Sequence, residues 1–220
     1  MSKYIYRALS FFWDIPIEKL SSGRNEYLEL VWSQGKKVLN TKNANYSFGT
    51  DSEVFEAAFN EITSKINKTR NLLILGFACG GILKVLEDKF NFIGKVKGIE
   101  FDDKIIDLYN RYFKSHVRSQ LNIAIQDANT YVNQSQEKYD LILVDLFLDL
   151  KVAPCVYTPE FLNGAIKLLN PTGTIVINVI ALNSEDQYLI GDLMVTLSLI
   201  LKQVQKIDVN DLNSVVIGIK

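Results

Sequence analysis

Three carboxylates stand where apolar runs give way to loops, and they are the side chains of this chain best placed for chemistry. Glu100 ends V-K-G-I-E, Asp127 follows N-I-A-I-Q, and Asp145 ends Y-D-L-I-L-V-D. Ahead of them runs N-L-L-I-L-G-F-A-C-G-G, from Asn71 to Gly81. Four apolar residues meet Gly76, and small residues follow at Ala78, Gly80 and Gly81. This pattern reads as a buried strand, a tight turn and a helix start at Ile82. Small side chains let a ligand approach the backbone, and a helix N-terminus offers unpaired N–H groups. Nucleotide and S-adenosylmethionine sites are both built in this way, as is many an ordinary strand-to-helix turn.

Each carboxylate has a chemical reading and a plainer one. Glu100 can accept two hydrogen bonds from a ribose diol, or it is a solvated strand end. Asp127 can accept from an exocyclic adenine amine, with Ala128 offering a backbone N–H to the ring; alternatively it caps a helix. Asp145 follows a run of apolar residues. A partly desolvated carboxylate there serves as a base or holds a cationic group, or it is simply the aspartate that starts a loop.

The elements that must position these groups alternate along the chain. Glu53–Ile66 reads as a helix, with Phe55, Phe59, Ile62 and Ile66 at helical spacing and Ser52 as its cap. Strands are expected at 72–76, 95–100, 121–126, 140–145, 174–180, 204–209 and 214–219. Helices are expected at 81–89, 103–115, 128–133, 158–169 and 184–202. Thr158 caps the helix that begins with Pro159. Alternation of this kind makes a mostly parallel sheet covered on both faces. Only Asn210–Asn213 separates the last two strands, too little chain for a crossover, so they form an antiparallel hairpin. The fold class expected is therefore α/β, a class I methyltransferase-type, Rossmann-like sheet ending in that hairpin. Residues 1–50 read as a β-rich extension, with a hairpin of Tyr27–Trp32 and Lys36–Leu39, and residues 51–220 as the ligand-binding domain.

Composition narrows the classes. The chain has 220 residues, 48% hydrophobic and 22% charged, with net charge -1, so no broad basic face points to nucleic acid. Phe11, Phe12 and Trp13 are followed at once by Asp14 and Pro16, too short an apolar run for a signal or a membrane span. A cytoplasmic protein with a small-molecule partner is expected, and no membrane partner. Cys79 and Cys155 form no disulfide framework, and with His116 as the single histidine no closed Cys/His zinc site is available, so no metal is expected. His116 reads as a surface or helix-end residue. Lys36-Lys37 reads as a solvated turn. Tyr46 and Tyr157 line an acceptor pocket or pack the hairpin and a helix start.

In this order, the segments Y-L-E-L-V-W-S-Q-G-K-K-V-L-N-T-K-N-A-N-Y-S-F-G, L-I-L-G-F-A-C-G-G, G-I-E-F-D, I-Q-D-A, Y-D-L-I-L-V-D, Y-T-P-E-F-L and L-L-N-P-T-G-T-I-V-I-N resemble the spermidine synthase family of polyamine aminopropyltransferases. The resemblance implies an S-adenosyl-type ligand, S-adenosylmethionine or its decarboxylated form. That ligand would be held by the turn Gly76, Ala78, Cys79, Gly80 and Gly81, by Glu100 and Phe101, and by Asp127 and Ala128. It makes Asp145 the catalytic residue that draws a proton from an attacking amine, puts Tyr46, Asp149 and Tyr157 on the acceptor side, and implies a homodimer formed with help from the N-terminal hairpin.

Departures from the family pattern alter the expected reaction. The family turn is G-G-G-D-G-G; here Cys79 stands where the aspartate would hold the ammonium of decarboxylated S-adenosylmethionine. Losing that charged hydrogen bond costs about 1.5–3 kcal/mol. Phe77 and Ala78 replace glycines. After Asp145 the family reads D-S-S-D-P, whereas this chain reads D-L-F-L-D, which suits a less cationic acceptor. Methyl transfer to a small acceptor is thus the first expectation, and aminopropyl transfer to a diamine the alternative. Two further readings are a non-catalytic adenosyl-binding or interaction protein, with Phe77 and Leu146–Leu148 filling the pocket, and a nicotinamide enzyme using G-F-A-C-G-G as a loose dinucleotide turn. The terminal hairpin and the carboxylate after the third strand argue against the last.

Overall fold

The computed structural model describes residues 3–42, 50–114 and 117–220; His116 and Tyr46 lie outside them. The chain opens with helix α1 (Lys3–Leu9) and three antiparallel strands, β1 (Ile15–Leu20), β2 (Leu28–Ser33) and β3 (Lys36–Asn40). The expected hairpin is thus part of a three-stranded sheet. Its extra strand β1 is an edge strand, where Pro16 is tolerated because no inner ladder bond is lost, and a register shift follows at Pro16/Glu18.

Helices α2 (Thr50–Glu61) and α3 (Thr63–Ile66) come next. Ser52 lies inside α2 rather than capping it. The single helix expected over 53–66 breaks at Ile62, where the Thr63 hydroxyl bonds back to the carbonyls of Phe59 and Asn60.

The large sheet and its helices follow: β4 (Asn71–Leu75), α4 (Gly81–Phe90), β5 (Lys95–Glu100), α5 (Asp103–Leu108), β6 (Gln120–Ile125), α6 (Ala128–Gln134) and β7 (Tyr139–Val144). A two-residue hairpin, β8 (Phe147–Leu148) with β9 (Lys151–Val152), precedes a 3-10 turn at Pro154–Tyr157. Then come α7 (Pro159–Lys167), β10 (Leu169–Ile180), α8 (Ser184–Ser198), β11 (Gln203–Asp208) and β12 (Asn213–Ile219). Thr158 caps α7 as expected, its hydroxyl accepting from the Phe161 N–H.

The seven strands run in the order β11-β12-β10-β7-β4-β5-β6. Only the β10–β12 and β12–β11 pairs are antiparallel. Residues 72–75 of β4 and 141–144 of β7 are apolar without a break because both faces of the sheet's centre are covered. Leu72, Ile74, Leu141, Leu143, Val176, Val215 and Ile217 point into one core with α2, α4 and Tyr109. Leu73, Leu75, Ile142, Val144, Ile175, Ile177 and Val216 point into the other, with α6, α7 and α8. This is the period-two alternation of a strand, expressed between two apolar layers.

The helix expected over 103–115 is shorter and changes winding. α5 ends at Leu108 and a π-helical turn spans Tyr109–Phe113. Two demands act on that turn. Tyr109 stacks edge-on against Phe77 inside the core, at 5.1 Å between ring centroids. Arg111 grips Glu18 of β1 with nitrogens at 2.6 and 3.0 Å, and the Tyr112 hydroxyl donates to the same carboxylate at 2.9 Å. The N-terminal sheet is further tied down by Asp102, whose carboxylate accepts from Ser22 (2.5 Å) and Asn25 (2.6 Å).

Helix α8 carries Gly191, where an added Cβ meets nothing within 4 Å. Gly191→Ala is expected to stabilise the fold by about 0.5–1 kcal/mol, because the helix interior no longer carries the backbone entropy of glycine. The melting midpoint should rise by about 2–4 °C per kcal/mol in a chain of this size, read by calorimetry. A lowered midpoint would mean that this helix face is covered in solution.

Candidate active site

The carboxyl ends of β4, β5, β6 and β7 open onto a cavity of about 530 Å³. Gly76 and Ala78 form one wall, Glu100 and Phe101 the next, then Gln126, Asp127 and Ala128, and finally Asp145 with the segment Leu146–Leu150. Ligands in open α/β sheets bind at this edge, since each strand ends there in a loop free to carry function. All four charged side chains that line it, Glu100, Asp127, Asp145 and Asp149, are carboxylates. No Lys, Arg or His among the described residues lines it.

Glu100 is buried, 6% exposed, rather than a solvated strand end. One of its oxygens accepts from the Ala78 N–H at 2.9 Å, the other from Phe101 and Asp102 at 2.9 and 3.1 Å. Burial pushes its carboxyl above the usual range; these three N–H groups oppose the rise, and the neighbouring Asp102 adds to it. Glu100 thus fixes the conformation of the turn it faces, including Ala78 at φ 46°. Asp127 is exposed and caps α6, accepting from the Thr130 N–H at 2.8 Å. The helix-cap role is realised, and the same residue borders the cavity.

Asp145 is half-buried, and the Asn178 side-chain amide donates to its Oδ1 at 2.9 Å. Asn178 is 1% exposed, and its own Oδ1 has no partner. Asp149 sits in the β8–β9 turn at φ 57° and accepts from the Thr41 hydroxyl at 3.1 Å.

The turn between β4 and α4 presents its residues alternately to two cavities. Gly76 and Ala78 face the acidic one. Phe77, Cys79 and Gly80 line a second cavity of about 700 Å³ beneath β2, β3 and the π turn. Cys79, Gly80 and Gly81, expected at the ligand, therefore do not line the acidic cavity. The Cys79 thiol is 3% exposed and packs against Leu28, Leu30, Leu39, Ile105 and Leu108. Burial, with a contribution from the Glu100 charge, pushes it far above the ordinary thiol range, so no thiolate nucleophile forms.

Tyr157 also lies off the cavity; it is half-buried and packs against the α7–α8 core. Its hydroxyl is pushed up to about 12 by burial and the Asp186 charge. Tyr46 lies outside the described residues. The Phe77 ring does not fill the ligand volume. It lies against Gly98, where a Cβ would come within 2.6 Å of the ring, and beside Gly80.

Ile180, Leu182, Leu212 and Asn213, not expected from the sequence, also line the acidic cavity. Because β12 runs antiparallel, its first residues lie at the edge where the parallel strands end. The signal was the Asn210 turn: its side-chain oxygen accepts from the N–H groups of Leu212 and Asn213 and closes the β11–β12 hairpin.

A mostly parallel sheet ending in an antiparallel pair defines a class I methyltransferase-type α/β fold. The spermine/spermidine synthase domain matches residues 57–212, and the chain belongs to that family. A probable polyamine aminopropyl transferase of Bifidobacterium longum is 28% identical over 113 residues, 51% of this chain and 25% of that protein. A polyamine aminopropyltransferase of Buchnera aphidicola is 35% identical over 81 residues, 34% of this chain and 28% of that protein. The matched segments thus span about a quarter of those relatives. Among solved structures, spermidine synthase of Thermotoga maritima superimposes with a TM-score of 0.70 at 16% identity, over 94% of this chain and 73% of that one. A spermidine synthase in complex with the transition-state analogue AdoDATO gives 0.74 at 16% identity, over 94% and 74%. Human methyltransferase-like protein 13 in complex with SAH gives 0.58 at 17%, over 71% and 74%. These likenesses establish the fold.

Proposed function

We propose that the chain transfers an alkyl group from an adenosyl sulfonium to the nitrogen of a small-molecule amine, aminopropyl transfer being the first reading. The observation that carries it is the charge of the cavity: four carboxylates and no cationic side chain among the described residues. A sulfonium donor and an ammonium acceptor are both cations, and this lining suits both. The names of the curated relatives support the same reading. Cys79 was the reason to prefer methyl transfer, but its thiol faces the N-terminal sheet, so its neutrality leaves the anions of the acidic cavity untouched. Methyl transfer remains the second reading, supported by the apolar segment Leu146–Leu148.

In this reading Glu100 meets the ribose hydroxyls and Gln126–Ala128 border the adenine. When bound, the donor supplies an electrophilic carbon beside a positively charged sulfur. Asp145 takes a proton from the acceptor ammonium, and Asn178 holds the carboxylate in place. The freed nitrogen lone pair forms the new C–N bond as the C–S bond breaks and its electron pair stays with sulfur. Asp149 offers a second anion for the acceptor. The N-terminal sheet covers the adjoining face and forms a homodimer contact, a proposal supported by the exposure of Phe11, Phe12 and Trp13. A cytoplasmic working place is part of the same reading. No helix among the described residues is long and apolar enough to cross a membrane.

Thermal shifts with S-adenosylmethionine, its decarboxylated form, methylthioadenosine and NAD test the proposal. At a hundred times its dissociation constant, the right ligand stabilises by about 2.7 kcal/mol. A larger shift with the decarboxylated form, and turnover of a small primary amine, are expected. A preference for S-adenosylmethionine selects methyl transfer, and a shift with NAD alone sinks both.

A further inference from the structure

The mouth of the acidic cavity is apolar, and three separate elements make it so. Leu148 and Leu150 come from the β8–β9 hairpin, Leu182 from the loop after β10, and Leu212 from the β11–β12 turn. They are 51%, 41%, 42% and 49% exposed, yet all four line the cavity. Four large apolar side chains converging from different elements on one opening are a binding feature rather than scattered surface leucines. The anions lie beneath them, at Asp145 and Asp149. The cavity is therefore complementary to an amphiphile, with its cationic end inward and its apolar end at the rim.

We propose that the acceptor is a primary amine carried on an apolar chain or ring, not a diamine charged at both ends. The inference rests on the amine-directed reading above and names its substrate class. A second ammonium would have to lose water against the four leucines, with Asp149 the one anion on the hairpin that carries Leu148 and Leu150, and that desolvation disfavours it. An alkyl or aryl body would instead cover Leu148, Leu150, Leu182 and Leu212. Asp149 offsets only part of that loss, because its carboxylate already accepts from the Thr41 hydroxyl at 3.1 Å.

Calorimetric titration of n-butylamine, n-hexylamine, n-octylamine and 1,4-diaminobutane tests the inference, with and without saturating methylthioadenosine. Affinity is expected to rise about fourfold per added methylene, the ratio for burying one such group. The diamine should bind more weakly than n-butylamine. Leu148→Asp and Leu212→Asp should flatten the series while methylthioadenosine still binds. A flat series in the unaltered protein, or a diamine that binds more tightly than n-butylamine, overturns the inference even where methylthioadenosine binds. A flat series together with a dimer that Leu148→Asp dissociates assigns the rim to a second copy and overturns it equally. A length-dependent series with no nucleoside binding upholds the acceptor class and removes the adenosyl donor instead.

Discussion

Asp145→Asn is expected to lower the turnover rate by about 100- to 10,000-fold, the span contributed by a positioned proton acceptor. The substitution keeps the shape of the side chain, and its amide oxygen can still accept from the Asn178 side chain, now 2.9 Å away. What it removes is the capacity to take a proton from the acceptor ammonium. Asn is a cleaner choice than Ala. Asp145→Ala would strip the Asn178 amide of the bond it makes to this carboxylate. Asn178 is 1% exposed and its own carbonyl oxygen has no partner. A buried amide deprived in this way costs about 1–3 kcal/mol of stability and would confuse the reading. Steady-state rates, with the thermal midpoint as a folding control, decide the matter. A variant that folds and turns over at the original rate would remove Asp145 from the chemistry.

Gly76→Ala should cost at least about 3 kcal/mol of stability, well beyond an average substitution. The residue sits at φ 86°, and an added Cβ would lie 2.1 Å from the Asp145 carbonyl oxygen. Neither strand can withdraw. The Asp145 N–H donates to Leu75 at 2.8 Å, and the Gly76 N–H donates to Ile99 at 3.0 Å. The clash is backbone against methyl, so no rotamer change relieves it. Chemical denaturation beside Gly23→Ala, a site with nothing within 4 Å, reads the difference. A loss no larger than that of the control would show that β4 and β7 have more freedom than their hydrogen bonds imply.

In the sequence, Gly76 is accounted for by the approach of a ligand. The structure gives it a second role: the Asp145 backbone packs against it, so the turn that shapes the cavity also brings β4 and β7 together. Glu100 shows the same doubling. Its place at a strand end was legible from the apolar run before it, but its bonds to Ala78, Phe101 and Asp102 were not. Local patterns report which residues end a strand, because burial imposes a periodicity on the chain. They do not report which backbone groups fold back onto a side chain.

The same division runs through the molecule. The sequence alone determined the alternation of strands and helices, the antiparallel ending and the carboxylates at successive strand ends. Apolar runs, caps such as Thr158 and short connections such as Asn210–Asn213 impose those features locally. Only the tertiary structure decided which way each turn residue faces. Phe77 and Cys79 point under the N-terminal sheet, while Gly76 and Ala78 point into the acidic cavity. It also decided that Leu148, Leu182 and Leu212, far apart along the chain, meet at one rim. The direction of a side chain from an irregular turn depends on φ and ψ values fixed by partners distant in sequence, here Glu100, Asp145 and Ile99. No periodicity in the chain encodes those partners.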